Sequence, residues 1–329
     1  MINNSWYAVL DSGSVKKNEV VGAKRLNKNL AFFRDENETI HCVMDICAHR
    51  GAALSLGTVK DDCIKCPFHG IEYHGDGSCE HVPSDGISSD ANYSRFNLKS
   101  YFVKEKNDII YLWNGDEEPT EEINFFEVLE DKDLVFSELQ DPWNTHYSRV
   151  IENQLDVSHL SFVHHNTIGR GYKTLVNGPK VVWLDEYTLQ TSANNEVDTG
   201  QKPKTNEESV IKSTNLTFKY PNSWLNTISD KIKVMAYFVP IDEENSILCI
   251  RFYNKITGFK PLDKFISWVG KYANMVIEKQ DKRIVETQLP KKTGLKMKEN
   301  LVKADMPIIE YRKRRNQLIK ENEETKEDE

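Results

Sequence analysis

Cys47-Ala48-His49-Arg50-Gly51 and Cys66-Pro67-Phe68-His69-Gly70 decide how this 329-residue chain is read, with sixteen residues between His49 and Cys66. Two thiolates and two imidazoles in a C-x-H…C-x2-H pattern can hold a [2Fe–2S] cluster. Cys47 and Cys66 would take one iron and His49 and His69 the other, a set that raises the potential above that of an all-cysteine cluster. The first stretch follows the apolar run Ile40–Met44 and the second precedes the turn Gly75–Gly77, so both read as loops on a β scaffold. Gly51 and Gly70 let backbone N–H groups come close to the sulfurs. The alternative is structural zinc, because Cys63-x2-Cys66 has knuckle spacing and Cys47 with His49 completes a tetrahedron. Such sites are more usually closed by a second C-x2-C or by paired histidines, and this chain offers C-x-H. Cys42, Cys79 and Cys249 read as small core hydrophobes.

Composition narrows the class. The chain is long enough for two domains with a full apolar core, at 39% hydrophobic residues and six tryptophans. A net charge of −8 argues against nucleic acid or an anionic membrane surface as the main partner. The longest apolar runs, such as Met235–Val239, are far too short to span a bilayer. The N-terminus has no basic and apolar leader pattern, so no signal peptide is expected. Six cysteines, two of them beside histidines, suit metal chemistry in a reducing compartment, and a soluble, cytoplasmic protein is the expectation.

Residues 1–115 read as an all-β domain, with strands at Trp6–Leu10, Leu30–Phe33, Ile40–Met44 and Ile109–Trp113 between dense turn signals. The acidic, proline-bearing stretch 115–122 reads as a linker to a second domain, 116–329. There Pro142–His165 reads as a helix with a disturbed end. Val181–Thr191, Ile211–Tyr220, Ile232–Val239 and Ser246–Tyr253 alternate as strands of an antiparallel sheet, and Ser192–Ser209 reads as a polar loop. A helix is expected over Asp263–Glu286 with Phe265, Val269, Tyr272, Val276 and Ile284 in the core, followed by a frayed charged tail from Lys320.

A second constellation lies in Glu152-Asn153-Gln154-Leu155-Asp156-Val157-Ser158-His159-Leu160-Ser161-Phe162-Val163-His164. Asn153, Asp156 and His159 would share one helical face. His164 follows His159 by five residues, so the two reach one metal only if the helix bends, bulges or ends. Two histidines and a carboxylate form the facial triad of non-haem Fe(II) oxygenases. The plainer reading makes His159 a core histidine and His164 and His165 surface residues. The third ligand would be a distant carboxylate, and the C-terminal helix offers Asp281, Glu278 and Glu286.

The two Cys/His loops resemble the signature of Rieske ring-hydroxylating and demethylating oxygenases, and Tyr73, Gly77, Cys79 and Pro83 fall where that family's sequences usually run. Ile71 departs from the family's usual tryptophan, which is expected to alter packing or partner contact and not ligation. The loops lack the extra cysteine pair of respiratory Rieske proteins, which favours the oxygenase branch. N-x2-D-x2-H-x4-H resembles the catalytic motif of the short, single-subunit members. The resemblance implies an α+β fold in which an N-terminal all-β Rieske domain precedes an α+β catalytic domain with a helix-grip-like antiparallel sheet. It implies Fe(2+) at His159, His164 and Asp281, Asn153 as an outer or weak ligand, and Asp156 as a bridge to the cluster histidine of a neighbouring subunit in a homotrimer. It also implies electrons from NAD(P)H through a flavin reductase or ferredoxin, with O2 and a small organic molecule as substrates.

Hydroxylation or demethylation is ranked first and cis-dihydroxylation second, since dihydroxylating relatives usually bring a β subunit. A Rieske electron carrier without catalysis and a zinc-stabilised binding module are the other classes. Phe162, Trp224, Tyr237 and Phe238 are candidates for an apolar pocket, against the plainer reading of aromatics in a core.

Overall fold

The computed structural model describes residues 1–327, and the chain divides into two compact units: Asn4–Ile123, and Met1–Asn3 with the chain from Asn124 onward. The first unit is all β and contains three antiparallel sheets. One orders Trp6–Asp11, Ile109–Trp113 and Val103–Lys106; a second orders Val20–Arg25, Lys28–Arg34 and Ile40–Met44. The third runs Thr58–Lys60, Cys63–Lys65, Glu72–Tyr73, Cys79–His81. Three hairpins turn on two residues each, Leu26-Asn27, Asp61-Asp62 and Asn107-Asp108, all at positive φ between 50° and 65°. That is type I′ geometry, whose twist matches the strands it joins. Ala31, Phe33, Val43, Leu54, Ile64 and Tyr73 bury their side chains together with Cys47 and Cys66, so the two sulfurs belong to the core.

The stretch read as a linker packs on this first unit. The Trp113 indole N–H donates to the carbonyl of Glu117 at 3.0 Å and that of Trp6 to Glu121 at 2.8 Å. Lys99 pairs with Asp116 at 2.8 Å and Lys104 with Glu122 at 3.1 Å. Two tryptophans thus claim the backbone of an acidic stretch, and the compact unit extends to Ile123 where a boundary at 115/116 was expected.

The second unit is built on a seven-stranded antiparallel sheet in the order Val135–Trp143, Ser246–Asn254, Ile232–Pro240, Ser223–Ser229, Asn215–Lys219, Thr188–Ser192, Val181–Asp185. Pro142 lies in the first of these, an edge strand, where a missing N–H is tolerated. The helix expected from Pro142 therefore starts later, as α1 (Tyr147–Leu155), and a single turn, α2 (Leu160–Val163), follows a break. Val181–Thr191 is a hairpin and not one strand. α3 (Lys260–Val285) lies against the strands Val135–Trp143 and Ser246–Asn254. α4 (Met306–Glu327) continues through the segment expected to fray at Lys320, and positions 328–329 of that tail lie outside the described residues. Arg312 on α4 grips the Glu152 carboxylate of α1 with two bonds of 2.8 and 2.7 Å, and Glu299 joins Arg312 to Arg149.

α3 presents the face opposite to the one its apolar periodicity suggests. Phe265, Val269, Tyr272, Val276 and Ile284 are 45–58% exposed, whereas Asp263, Ser267, Glu278, Asp281 and Val285 are buried. The polar face is satisfied locally: Ser267 donates to the Val135 carbonyl at 3.2 Å and accepts from Asn254 at 2.6 Å. Gly270 permits the close approach, since a Cβ there would stand 2.8 Å from the Phe252 ring. The inverted face is what carries Asp281 inward. No helix among the described residues is long and apolar enough to cross a membrane.

Candidate metal centres

The two Cys/His loops of the first unit have the same backbone geometry. Cys47 N–H donates to the Ala52 carbonyl (2.8 Å) and Gly51 N–H to the Cys47 carbonyl (2.9 Å). In the other loop Cys66 N–H donates to Ile71 (2.8 Å) and Gly70 N–H to Cys66 (3.0 Å). Gly51 and Gly70 close the turns at φ of +76° and +74°, where a side chain would be strained. One apolar wall thus carries both buried cysteines, while His49 and His69 are exposed with ring centroids 4.5 Å apart. Sulfurs on the inner side and imidazoles on the outer side suit a cluster with a cysteine-held and a histidine-held iron.

Electrostatics around the sulfurs agree. Burial pushes the Cys66 thiol up, the backbone N–H groups of Phe68 and His69 draw it down, and the neighbouring Cys47 thiol raises it again. The Tyr73 hydroxyl stands 3.2 Å from Cys47 Sγ. Cys63, which a zinc knuckle with Cys66 would require, instead sets its sulfur 3.4 Å from His74 Nδ1. Ile71 fills the core between the loops at 1% exposure.

In the second unit α1 ends at Asp156, which is extended (φ −81°, ψ 131°), and His159 opens α2 while His164 closes it. The break comes before His159, not between the histidines as the helix geometry suggested, and Asn153 and Asp156 no longer share a helical face with it. One helical turn then separates His159 and His164, with rings 5.2 Å apart. Asp281 Oδ1 lies 2.9 Å from His164 Nε2 and 3.4 Å from His159 Nε2. Ligand atoms of these three residues all fall within 4.8 Å of one another, the one such group among the described residues. Asp281 Oδ1 is buried without a hydrogen-bond partner. An acceptor-only oxygen left facing two ring nitrogens fits a divalent cation, and this donor set fits iron(II).

Residues around the triad fix its orientation. His164 Nδ1 donates to Gln280 Oε1 at 2.8 Å, Thr167 donates to the same oxygen at 3.0 Å, and Gln280 in turn donates to Asn166. This leaves Nε2 of His164 free to face Asp281. Burial opposes the charge of Asp156, but its His159 partner at 3.3 Å and the N–H and hydroxyl of Ser158 outweigh that and hold the carboxyl below its usual value. Glu286 accepts from the Asn144 N–H at 2.6 Å, away from the triad. Glu278 is buried one turn before Asp281, and burial, with Asp281 and Asp141 nearby, pushes its carboxyl far up.

A cavity of about 230 Å³ opens on the triad, lined among others by Asn153, Asp156, Leu216, Trp224, Asn226 and Ile277. Of the aromatics expected in a pocket only Trp224 lines it. Phe162 is 67% exposed, Tyr237 points to the other sheet face and donates to Glu138 at 3.0 Å, and Phe238 is enclosed in the core. Gln280 and Asn226 were not singled out by the sequence reading. Asn226 was visible only as the second residue after Trp224 in a strand that reading did not recognise.

Comparison with known proteins agrees with this construction. Residues 5–100 match the Rieske [2Fe-2S] domain and residues 143–321 the vanillate O-demethylase oxygenase C-terminal domain. A chlorophyllide a oxygenase of Chlamydomonas reinhardtii is 32% identical over 171 residues, 52% of this chain and 26% of that protein. The oxygenase component of a chloroacetanilide N-alkylformylase from Rhizorhabdus wittichii is 30% identical over 200 residues, 58% of this chain and 54% of that protein. The alignments thus span from about a quarter to about half the length of these relatives. In fold, Pseudomonas putida CBB5 NdmA superposes with a TM-score of 0.80 at 21% identity, covering 97% of this chain and 92% of its own. Dicamba monooxygenase bound to 3,6-dichlorosalicylic acid superposes at 0.73 and 18% identity, covering 98% of each chain. With the C-terminal domain match alone taking in more than half of the residues, the chain belongs to the Rieske non-haem iron oxygenases.

Proposed function

We propose that the chain is the oxygenase component of a monooxygenase system that hydroxylates or oxidatively demethylates a small organic substrate. The observation that carries this is the buried, unpartnered Asp281 Oδ1 between His159 and His164 at the floor of a cavity, in a chain that also holds the paired Cys/His loops. Cys47, Cys66, His49 and His69 would hold the [2Fe–2S] cluster, and His159, His164 and Asp281 the iron. When bound, these groups supply stored electrons and a place for dioxygen activation. Electrons would come from NAD(P)H through a flavin reductase or ferredoxin, in the cytoplasm. A homotrimer, with Asp156 between one subunit's iron site and the next subunit's cluster, is part of the same proposal.

The chain's own residues have defined tasks. Gln280 locks the His164 tautomer so that its inward nitrogen is unprotonated. Asp156 stands 3.3 Å from His159 Nδ1 as the ionic partner of that ring. Leu216, Trp224 and Ile277 give the cavity an apolar part of its lining. For a methyl ether the balance is R–O–CH3 + O2 + 2e⁻ + 2H⁺ → R–OH + CH2O + H2O, the hemiacetal collapsing to alcohol and formaldehyde. An N-methyl group behaves likewise through a hemiaminal.

Anaerobic iron and acid-labile sulfide quantification tests this reading, with EPR of the dithionite-reduced protein. About three irons and two sulfides per chain are expected, with a g average below the free-electron value. Zinc and no signal would overturn it. Tyr73→Phe supplies a finer check, because the hydroxyl on Cys47 donates to a sulfur that gains charge on reduction. A hydrogen bond of about 1 kcal/mol corresponds to roughly 40 mV in a one-electron couple, so the midpoint potential should fall by about that much. Voltammetry reads this directly, and an unchanged potential would remove Tyr73 from cluster tuning.

A further inference from the structure

We propose that α3 docks the protein on an anionic phospholipid surface, through the apolar stripe and the cations of its outer side. Leu262, Phe265, Val269, Tyr272 and Val276 recur at three- and four-residue spacing in this 26-residue helix. They therefore line one side of it over about 21 Å. Together with Phe259 and Trp268 they are 45–63% exposed. The rings at the centre of the stripe hold one another: Phe265 and Trp268 stack with centroids 5.9 Å apart, and Trp268 meets Tyr272 edge-on at 5.2 Å. Singly scattered apolar side chains on a surface need no explanation, but a contiguous stripe with three aromatic rings marks a contact site.

Charge says what covers the stripe. The acids of α3, Asp263, Glu278 and Asp281, are all buried on the inner face. Of its six basic residues only Lys282 has an acidic partner among the described residues, Asp141 at 3.0 Å. Lys260, Lys264, Lys271, Lys279 and Arg283 are left without one, and Lys271 Nζ lies 5.6 Å from the centre of the Tyr272 ring. In a chain of net charge −8 this side is locally cationic. At physiological ionic strength charges beyond about 8 Å are screened, so the local sign governs a contact. The occupant must therefore be anionic and must take in aromatic rings. A second copy in a two-fold pairing would bring the same cations against one another. A single convex helix offers no pocket for the anchor side chains of a folded partner. Anionic head groups meet both demands: they attract the lysines, while Trp, Tyr and Phe settle at the boundary of head groups and acyl chains with the helix lying in the surface plane. α3 then serves two sides, with Asp281 and Ile277 toward the cavity and the stripe toward lipid.

The test is co-sedimentation of the full chain with vesicles of phosphatidylcholine, alone or with roughly 30% phosphatidylglycerol, at about 0.1 M and about 0.5 M salt. Binding should be at least about tenfold tighter to the anionic vesicles and should weaken by at least about tenfold at the higher salt. Lys264→Glu combined with Lys271→Glu should remove the preference for phosphatidylglycerol. Phe265→Ser combined with Trp268→Ser should weaken binding to the anionic vesicles by at least about tenfold. None of these four side chains is buried, and far-ultraviolet dichroism with an intact cluster absorbance establishes that each variant is folded. No sedimentation with either vesicle, equal binding to both, or unchanged binding by either folded variant would overturn the assignment. A native protein that stays off vesicles, and whose oligomeric state in size-exclusion chromatography falls with Phe265→Ser and Trp268→Ser, would overturn it in favour of a second copy of the chain on this face.

Discussion

His159→Ala abolishes substrate-dependent dioxygen consumption while the visible spectrum of the [2Fe–2S] cluster survives. The expectation follows from where the residue sits. His159 belongs to the second compact unit, and Cys47, His49, Cys66 and His69 all belong to the first, whose core does not depend on it. Removing one of three ligands leaves His164 and Asp281 alone, too few to hold iron(II) firmly. Deleting an outer partner of a metal ligand typically costs 10- to 100-fold, so loss of a ligand should take activity below roughly one-hundredth of the unmodified rate. Iron should drop from about three per chain to about two while sulfide stays at two. Bleaching of the cluster in the same variant would mean the two centres are not separable. Asp281→Ala should reproduce every readout. Retained activity there would move the ligand to Glu278, since Glu286 is engaged by the Asn144 N–H.

The candidate ligands were legible in the sequence where a short motif carries the whole geometry. Cys47-x-His49 and Cys66-x2-His69 each lie in one loop, and nothing remote is needed to bring their members together. Asp281 was harder, because it joins the histidines only through the packing of a helix over a hundred residues away. Its apolar periodicity points outward, and the face that packs is carried by Ser267, Gly270 and Asp281. A hydrophobic stripe predicts the buried face only where burial is driven by apolar area; here a small residue and hydrogen bonds to Val135 and Asn254 decide the contact. The hairpins at Leu26-Asn27 and Asp61-Asp62 escaped notice for a related reason, since neither contains glycine although both residues of each adopt positive φ. Pro142 misled in the opposite direction. It suggested the start of a helix, whereas an edge strand accepts it equally well. The cavity needed the sheet register: Trp224 faces it because it pairs with Ala236, which turns the adjacent Tyr237 to the other side.

Asp156→Asn separates electron delivery from metal binding. Its carboxylate reaches His159 Nδ1 through one oxygen at 3.3 Å and accepts the Ser158 N–H and hydroxyl through the other, so it is charged and tethered at the rim of the cavity. Asparagine keeps the shape and can keep the two Ser158 hydrogen bonds, but removes the charge that faces the His159 imidazole. Both metals should therefore remain bound, with iron and sulfide content unchanged. If Asp156 links the iron site to a neighbouring subunit's cluster, re-oxidation of the dithionite-reduced protein by dioxygen and substrate in a single turnover should slow by about 10- to 100-fold. Stopped-flow absorbance of the cluster reads this without steady-state reductase. A purely structural Asp156 would lower iron occupancy and leave the rate per loaded site intact. An unchanged single-turnover rate with full iron would remove the residue from the electron path, and with it the reason to require a neighbouring subunit at this face.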